Sequence, residues 1–263
     1  MKNFLFDMDG TLTEPRKIGK INIIEKLIKL SKYGNIGVLT GSHLEYVMEQ
    51  LSILIDNVNN FENKLYILPC NGTQFYTVSK TKELNCKYTE DMIQEIGERE
   101  YIHLIHSICD IQSEFFEKYT ENTSGQFIQY RGSLLNWCPI GRDSNQKFRS
   151  NFIEKDKQHL IRKHLIKKLT NKLCKNNMQD ALGLALGGST SIDIYPLGWG
   201  KEYSLRSFPA GSVYFWGDKC FGDGNDATIY SKLHPLGRAF SVESPEDTAR
   251  SIDNLMEKIK AGF

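Results

Sequence analysis

The sequence predicts an α/β fold: a Rossmann-like core with a parallel sheet, into which an α+β cap domain is inserted. Short apolar runs alternate with helical patterns at both ends of the chain, as expected of βαβ units. The middle of the chain instead places long helical stretches beside neighbouring strand-like runs. We therefore expect core segments at 1–84 and 197–263, separated by a cap at 85–196.

The predicted core strands are short apolar runs, each followed by a turn or by a helical pattern. They lie at 4–6, 36–39, 66–68, 213–216 and 239–242. Apolar residues from Ile23 to Leu30 recur at helical spacing, and further helices are expected through 47–51, from about Asp226 and after Pro245.

The predicted cap combines two long helices with two pairs of strands. The helices are expected at about 89–119 and 152–174, and the strands at 127–130, 134–137, 182–186 and 191–195. The segment from Lys155 to Lys175 carries eight basic residues and one Asp. No aromatic residues interleave with these charges to stack on bases, so a solvated helix face is favoured over a nucleic-acid site.

Composition is that of an ordinary globular protein. The chain has 263 residues, 40% of them hydrophobic and 25% charged, and a net charge of +1. This balance excludes wholesale disorder and gives no general attraction to nucleic acid or anionic membranes. No apolar run approaches the roughly 18 residues of a membrane span, and the early charges argue against a signal peptide. Six scattered cysteines argue against disulfides and structural zinc, so we expect a soluble, cytoplasmic protein.

The strongest chemical signal is the sequence Asp7-Met-Asp9-Gly10-Thr11, directly after the first predicted strand. Ligands of open α/β sheets bind at the carboxyl ends of the strands. Two carboxylates on such a loop can converge on one phosphate and one hard cation, and Mg²⁺ prefers oxygen ligands of this kind. Alone, the pattern also fits an ordinary acidic loop.

Two further signals follow other predicted strands. The segment 217–226 reads GDKCFGDGND, a second acidic cluster in which Asp218 could complete a cation site. Thr40-Gly41-Ser42 supplies hydroxyl groups after the second strand. Each signal is weak by itself, but together, in this order and each after a strand, they predict a phosphate and metal site at one sheet edge.

These motifs resemble those of the haloacid-dehalogenase superfamily of Mg²⁺-dependent phosphotransferases, and more closely those of the eukaryotic-type phosphomannomutases. The resemblance covers nearly the whole chain in order. It is carried by residues 6–16 (FDMDGTLTEPR), 69–72 (PCNG), 127–131 (FIQYR), 135–142 (LNWCPIGR), 187–193 (GGSTSID), 198–201 (GWGK) and 244–247 (SPED). The central segments are the most specific part, because they combine the arginine pattern with the cap.

The resemblance implies roles for the acidic residues. Asp7 corresponds to the nucleophile that forms an aspartyl-phosphate, and Asp9 to the general acid and base. Mg²⁺ is implied to bind the Asp7 carboxylate, the Asp9 main-chain carbonyl and Asp218. Asn225 and Asp226 are implied to support the metal.

The resemblance also implies two anion sites, because a hexose bisphosphate carries two phosphates. Ser42 and the catalytic Lys201 correspond to residues that hold phosphate oxygens at the nucleophile. The residues implied to bind the sugar and its second phosphate are Arg131, Arg142, Arg149, Ser191 and Asp193 in the cap, and Arg16 near the hinge. Guanidinium groups suit this task because they bind phosphate with two parallel hydrogen bonds and stay charged.

The implied function is interconversion of mannose 6-phosphate and mannose 1-phosphate, with a hexose 1,6-bisphosphate as activator, in GDP-mannose biosynthesis. The implied partner is a second copy of the chain, bound through the cap. Two alternatives stay open: a sugar-phosphate phosphatase of the same superfamily, and an inactive sugar-phosphate-binding protein. The cap arginines argue against the first, and the intact Asp7, Asp9, Lys201 and Asp218 against the second. The stretches 197–200 and 220–223 depart from the family pattern and bear on the balance between mutase and phosphatase.

Overall fold

The computed structural model describes residues 1–14, 21–119 and 123–262. The chain divides into two compact units, Met1–Thr89 with Gly200–Phe263, and Glu90–Trp199. The sequence placed the start of the cap at 85. Residues Leu84–Thr89 instead form a strand that pairs within the first sheet, and 197–199 fall in the second unit.

The strands and helices have the following bounds. The strands are β1 (Lys2–Phe6), β2 (Gly34–Leu39), β3 (Leu65–Leu68), β4 (Gln74–Val78), β5 (Leu84–Thr89), β6 (Ile128–Tyr130), β7 (Leu135–Trp137), β8 (Leu182–Gly187), β9 (Ser191–Pro196), β10 (Val213–Gly217) and β11 (Ala239–Ser241). The helices are α1 (Ile21–Leu30), α2 (Leu44–Gln50), α3 (Ser52–Asp56), α4 (Met92–Ile96), α5 (Glu98–Lys118), α6 (Gln146–His159), α7 (Ile161–Lys175), α8 (Ala227–Leu233) and α9 (Pro245–Lys260).

The first unit is built on a seven-stranded sheet of order β11-β10-β1-β2-β3-β4-β5. The five strands from β11 to β3 are parallel, which confirms the predicted α/β class. Strands β4 and β5 are antiparallel additions that the sequence pattern did not predict. Strand β5 exposes most of its side chains, so it lacks the apolar run that marks a buried strand.

Alternate residues of the central strands bury opposite faces of this sheet. Phe4 and Phe6 pack with Leu27 of α1 and Ile252 of α9. Leu5 packs on the other face with residues of α8, including Ile229. Because both faces are covered, these strands read as continuous apolar runs, and the polar residues that follow them are left at the sheet edge.

The second unit holds an antiparallel sheet of order β6-β7-β9-β8. Trp137 of β7 is fully buried, and its indole nitrogen donates to Gln112 of α5 at 2.6 Å. The helix predicted at 89–119 is two helices, separated by Gly97 at φ 94°, and the helix predicted at 152–174 is split at Leu160, at φ 51°. Both residues have a positive φ, through which a right-handed α-helix does not continue.

Ion pairs neutralise part of the basic stretch of α7. Lys172 bonds to Asp110 of α5 at 2.9 Å, and Lys168 bonds to Glu114 one turn further along α5. Arg162 bonds to Asp156 of α6 at 2.7 Å. Among the described residues, no helix combines the length and the apolar character that a membrane crossing requires.

Candidate active site

The carboxyl ends of the parallel strands carry the predicted polar residues to one edge of the first sheet. Asp7 follows β1, Ser42 follows β2 and Asp218 follows β10. Strand β1 lies between β10 and β2, so the loops after these three strands are neighbours. This placement agrees with the usual location of ligand sites in open parallel sheets.

Asp7 and Lys201 form a buried ion pair at this edge. The Asp7 backbone N–H donates to the Trp216 carbonyl at 2.8 Å, which fixes Asp7 against β10. Lys201 has no exposed surface, and its ammonium bonds to both Asp7 and Asp226, with 2.5 Å to Asp226 Oδ1. A short 3₁₀ helix, Lys201–Ser207, begins at this lysine.

Asp7, Asp218 and Asp226 form an acidic cluster in which one oxygen of each lies within 4.8 Å of the others. Burial, which outweighs the lowering effect of Lys201, raises the pKa of Asp7 to about 8, and the charges of Asp226 and Asp218 act in the same direction as burial. Burial also raises the pKa of Asp218. Burial lowers the pKa of Lys201, but the charges of Asp226 and Asp7 outweigh this and raise it above its usual range.

The cluster fits a hard divalent cation. Asp7, Asp218 and Asp226 offer carboxylate oxygens close together, and Lys201 bonds to two of them while the Lys219 ammonium lies 3.9 Å from Asp218 Oδ2. Within the described part of the chain, the buried Oδ1 atoms of Asp218 and Asn225 accept no hydrogen bond. Buried oxygens without donors are costly unless something binds them, and a cation would do so. Asp226 differs, since Lys201 and the Lys219 backbone N–H engage its two oxygens.

Asp9 lies in a tight loop and is partly exposed. The Gly10 N–H donates to the Thr13 carbonyl at 2.7 Å, and Asp9 Oδ1 accepts from the Tyr46 hydroxyl at 3.3 Å. Gly10 has φ 92°, and a Cβ there would come within 2.4 Å of Asp218 Oδ2. A glycine is therefore required where this loop passes the acidic cluster.

A left-handed loop supports Ser42. Cys70, Asn71 and Gly72 all have positive φ, and the N–H groups of Cys70 and Asn71 donate to the Ser42 and Thr40 carbonyls at 3.0 and 2.8 Å. The Ser42 N–H donates to Thr40 Oγ1 at 3.1 Å. Sequence reasoning did not assign this supporting role, although Asn71-Gly72 after Pro69 is a turn signal that marks the loop.

The second unit brings together most of the predicted cap residues. Gln129, Asn136 and Asp193 are register neighbours on β6, β7 and β9, and so share one face of the sheet. Arg131 Nε donates to Gln129 Oε1 at 3.0 Å, and Arg142 Nη1 donates to Asn136 Oδ1 at 2.8 Å. Asn136 lies within the 135–142 motif, but the sequence alone predicts no role for it; its position depends on the register of β7 and β9.

The remaining predicted residues have separate surroundings. Arg149 is buried on α6, and its Nη2 donates to Thr190 Oγ1 at 2.7 Å. Ser191 is buried at the start of β9, and its carbonyl accepts from Arg162 at 3.1 Å. Arg16 lies outside the described residues.

A buried Asp–Lys pair with further carboxylates, at the carboxyl edge of a parallel sheet that carries an inserted α+β unit, is the architecture of the haloacid-dehalogenase fold. Solved structures agree on the fold. A truncated IMP-nucleotidase from Plasmodium falciparum matches with a TM-score of 0.66 and 12% identity, over 97% of this chain and 70% of that one. The C-terminal domain of C. albicans trehalose-6-phosphate phosphatase matches with a TM-score of 0.55 and 16% identity, over 96% of this chain and 91% of that one.

Sequence comparison identifies the family. The family model described as eukaryotic phosphomannomutase matches residues 23–258. A phosphomannomutase of Glycine max is 33% identical over 95% of this chain and 94% of that protein. A phosphomannomutase of Encephalitozoon cuniculi is 33% identical over 98% of this chain and 95% of that protein. The chain belongs to the eukaryotic phosphomannomutase family, a family of enzymes, which confirms the predicted resemblance.

Proposed function

We propose that the protein interconverts mannose 6-phosphate and mannose 1-phosphate through a phosphoryl group carried on Asp7. The observation that supports this most is the buried Asp7–Lys201 pair within an acidic cluster at the carboxyl edge of the sheet. Membership of the phosphomannomutase family supports the choice of substrate.

The proposed chemistry uses Asp7 as nucleophile. An Asp7 carboxylate oxygen forms a bond to phosphorus while the bond from phosphorus to the bisphosphate's sugar oxygen breaks. Asp9 gives a proton to that leaving oxygen and later removes one from the hydroxyl that accepts the phosphoryl group. The ammonium of Lys201, already bonded to Asp7, holds Asp7 in place and stabilises negative charge near it.

The Asp7 carboxylate, Asp218 and the Asp9 main-chain carbonyl would hold Mg²⁺, with Asn225 and Asp226 in support. Such an ion, when bound, supplies positive charge that stabilises the transferring phosphoryl group. Asp226 suits a supporting role because its two oxygens already accept hydrogen bonds from Lys201 and Lys219.

We propose that the cap unit binds the second phosphate of a hexose 1,6-bisphosphate intermediate. Three arginines supply the positive charge, and Ser191 and Asp193 contact phosphate and sugar hydroxyls. The arginines are Arg131, Arg142 and Arg149. Ser42 and Lys201 hold oxygens of the transferring phosphate, and Arg16 is proposed as a further substrate-binding residue.

The same family membership leads us to propose activation by a hexose 1,6-bisphosphate and a homodimer formed through the cap. It also leads us to propose a cytoplasmic role in supplying mannose 1-phosphate for GDP-mannose. The first two of these can be tested apart from the chemistry, activation by omitting the activator and the homodimer by the mass of the protein in solution.

The decisive test is a coupled assay that follows mannose 6-phosphate and free phosphate together. The reaction contains mannose 1-phosphate, Mg²⁺ and a trace of hexose 1,6-bisphosphate. We expect bisphosphate-dependent mannose 6-phosphate with little free phosphate. Stoichiometric free phosphate without the isomer would overturn the proposal and establish a phosphatase instead.

Two variants test the proposed nucleophile. Asp7→Asn should abolish both turnover and the phosphoenzyme. The matched control is Asp56→Asn, which removes an exposed carboxylate that pairs with Lys82 at 2.7 Å in the same unit. The control should keep full activity. An Asp7→Asn protein with near-normal turnover would refute the mechanism.

A further inference from the structure

The side chain of Asn136 lies between two of the proposed substrate-binding residues and forms a hydrogen bond with each of them. Its side-chain oxygen accepts from Arg142 Nη1 at 2.8 Å, and its side-chain nitrogen donates to Asp193 Oδ1 at 2.6 Å. Asn136 and Asp193 are only 3% and 4% exposed and face each other across the β7–β9 pair. The amide is therefore fixed between a cation and an anion in a dry environment.

The chemistry of the two partners determines the orientation of the Asn136 amide. A guanidinium group only donates hydrogen bonds, so it must face the amide oxygen. An ionised carboxylate only accepts, so it must face the NH₂ group. A flipped amide would place donor against donor and acceptor against acceptor. The side chain thus has one stable orientation, and that orientation holds both partners in place.

A direct bond between Arg142 and Asp193 would have a different consequence. A carboxylate paired with a guanidinium neutralises its charge and competes with any phosphate for the same N–H groups. The neutral amide oxygen accepts from one N–H of Arg142 and brings no negative charge to that contact.

We propose that Asn136 is a positioning residue that orients Arg142 toward the second phosphate of the substrate while keeping Asp193 from neutralising it. This inference rests on the proposed function, which assigns Arg142 and Asp193 to substrate binding. It adds a specific reason for a neutral amide at position 136. An aspartate at this position would fit into the same space, but the protein would then bind phosphate poorly.

The substitution Asn136→Asp tests this charge requirement with almost no change in volume. The introduced carboxylate accepts from Arg142 and repels Asp193, so at neutral pH we expect the affinity for a hexose 1,6-bisphosphate to fall about tenfold or more. The KM for mannose 1-phosphate should rise by more than kcat falls, because binding is affected rather than the nucleophile.

The matched control is Asn145→Asp, which adds the same charge to the same unit. Asn145 caps the start of α6, where its side-chain oxygen accepts from the Phe148 N–H at 3.1 Å. Aspartate caps a helix as well as asparagine does, so this variant should bind bisphosphate like the unmodified protein. Equal weakening in both variants would show a general effect of added negative charge and would overturn the proposal.

The pH dependence separates a charge effect from a structural one. Two carboxylates that share a site hold one proton at mildly acidic pH. A proton between positions 136 and 193 restores a donor toward Asp193 and an acceptor toward Arg142. Charged groups bonded along this row include Arg131, Arg142 and Asp193. We expect the affinity ratio of Asn136→Asp to the unmodified protein to recover as the pH falls toward about 5.5; a pH-independent ratio would contradict the proposal.

Binding must also be measured without turnover, so that failure of the proposed function is recognised separately. The comparison uses Mg²⁺-loaded Asp7→Asn protein with and without Asn136→Asp, titrated with glucose 1,6-bisphosphate by calorimetry. If the unmodified protein lacks mutase activity, the titration still decides the role of Asn136. If Asn136→Asp does not fold, Asn136→Ala replaces it. That variant should also weaken binding, but with no recovery at low pH, and unchanged binding would overturn the proposal.

Discussion

Gly72 and Ser204 touch so closely that a Cβ on Gly72 would lie 2.6 Å from the Cβ of Ser204. Gly72 ends the left-handed loop whose first two N–H groups bond to the carbonyls of Ser42 and Thr40. Ser204 lies on the turn that begins at Lys201, and its hydroxyl donates to the Lys201 carbonyl at 2.7 Å. The segments that carry Ser42 and Lys201 therefore meet at this glycine.

We expect Gly72→Ala to lower both stability and activity. Its φ of 79° disfavours any side chain, and the new methyl group would collide with Ser204. The combined cost should be about 2–4 kcal/mol in the free energy of unfolding, measured by urea denaturation. Phosphoryl transfer should fall further than the folded fraction does, because Ser42 and Lys201 are displaced.

Gly237→Ala is the control for Gly72→Ala. Gly237 has a similar φ of 67°, but a Cβ there would meet no atom within 4 Å. It therefore measures the backbone cost alone, about 1 kcal/mol. If both substitutions lower the free energy of unfolding by the same amount and the two variants are equally active, the contact between Gly72 and Ser204 does not position the residues of the site.

Lys201→Met should be strongly destabilising near neutral pH. The lysine is fully buried and its ammonium bonds to both Asp7 and Asp226, so its removal leaves the buried Asp226 carboxylate without its counter-charge and takes a hydrogen-bond donor from Asp7. The expected loss is about 3 kcal/mol or more, with turnover almost abolished. Acidic pH should reduce the stability loss, because the carboxylates can then bind protons.

The same substitution at Lys26 is a matched control for Lys201→Met. Lys26 bonds to Asp253 at 2.6 Å, but both side chains are partly exposed to solvent. Exposed pairs of this kind contribute less than about 1 kcal/mol to the free energy of unfolding, so Lys26→Met should change the stability only slightly. A Lys201→Met protein as stable as Lys26→Met near pH 7.5 would show that the buried carboxylates are compensated in another way.

The protonation of Asp7 makes the stability of the metal-free protein depend on pH. Its folded pKa of about 8 lies above the ordinary value of 3.8. Between these values the folded state holds a proton that the unfolded chain has released, so stability decreases as the pH rises from about 4 to about 8. We expect urea denaturation in EDTA to show this decline in the unmodified protein and less of it in Asp7→Asn.

Mg²⁺ provides the complementary measurement. An ion that binds only the folded state stabilises it, and an ionised Asp7 is the better ligand. Added Mg²⁺ should therefore restore the stability of the unmodified protein near pH 8 more than that of Asp7→Asn. Identical responses of the two proteins, with and without Mg²⁺, would contradict the assignment of Asp7 to the cation site.

The sequence predicts the core strands well because they are buried on both faces. The carboxyl-terminal parts of β1 and β2, and most of β10, are apolar runs, and each ends where the chain turns polar at the sheet edge. Strand β5 could not be found in this way, because its side chains are mostly exposed. Its position depends on pairing with β4 and on the Tyr88 hydroxyl, which donates to the Gly72 carbonyl at 2.8 Å.

Residue types and order predict the candidate site, but not its contacts. Asp7 and Lys201 are 194 residues apart in the chain, and only the fold brings them together. The link through Asn136 depends on the register of β7 and β9, where a shift of one residue would turn the amide to the other face. The split between α6 and α7 was missed because Leu160 is apolar and continues the helical pattern.

Leu160→Gly should stabilise the protein. Leu160 separates α6 from α7 with φ 51° and ψ 41°, a left-handed conformation that costs a leucine about 1 kcal/mol or more. Its side chain is 48% exposed, so little packing is lost, and the N–H that donates to the Asp156 carbonyl at 2.8 Å is retained. Glycine adopts this conformation freely, although it also increases the freedom of the unfolded chain. The net gain should be about 0.5–1 kcal/mol, measured by urea denaturation with activity unchanged.

Lys167→Gly distinguishes this gain from a general effect of glycine. Lys167 lies inside α7 and is exposed, and glycine in a helix interior costs about 1 kcal/mol. The two substitutions should therefore change stability in opposite directions. If Leu160→Gly also lowers the free energy of unfolding, the packing of the leucine side chain contributes more stability than its backbone conformation costs. The break between α6 and α7 would then be stabilised by that packing.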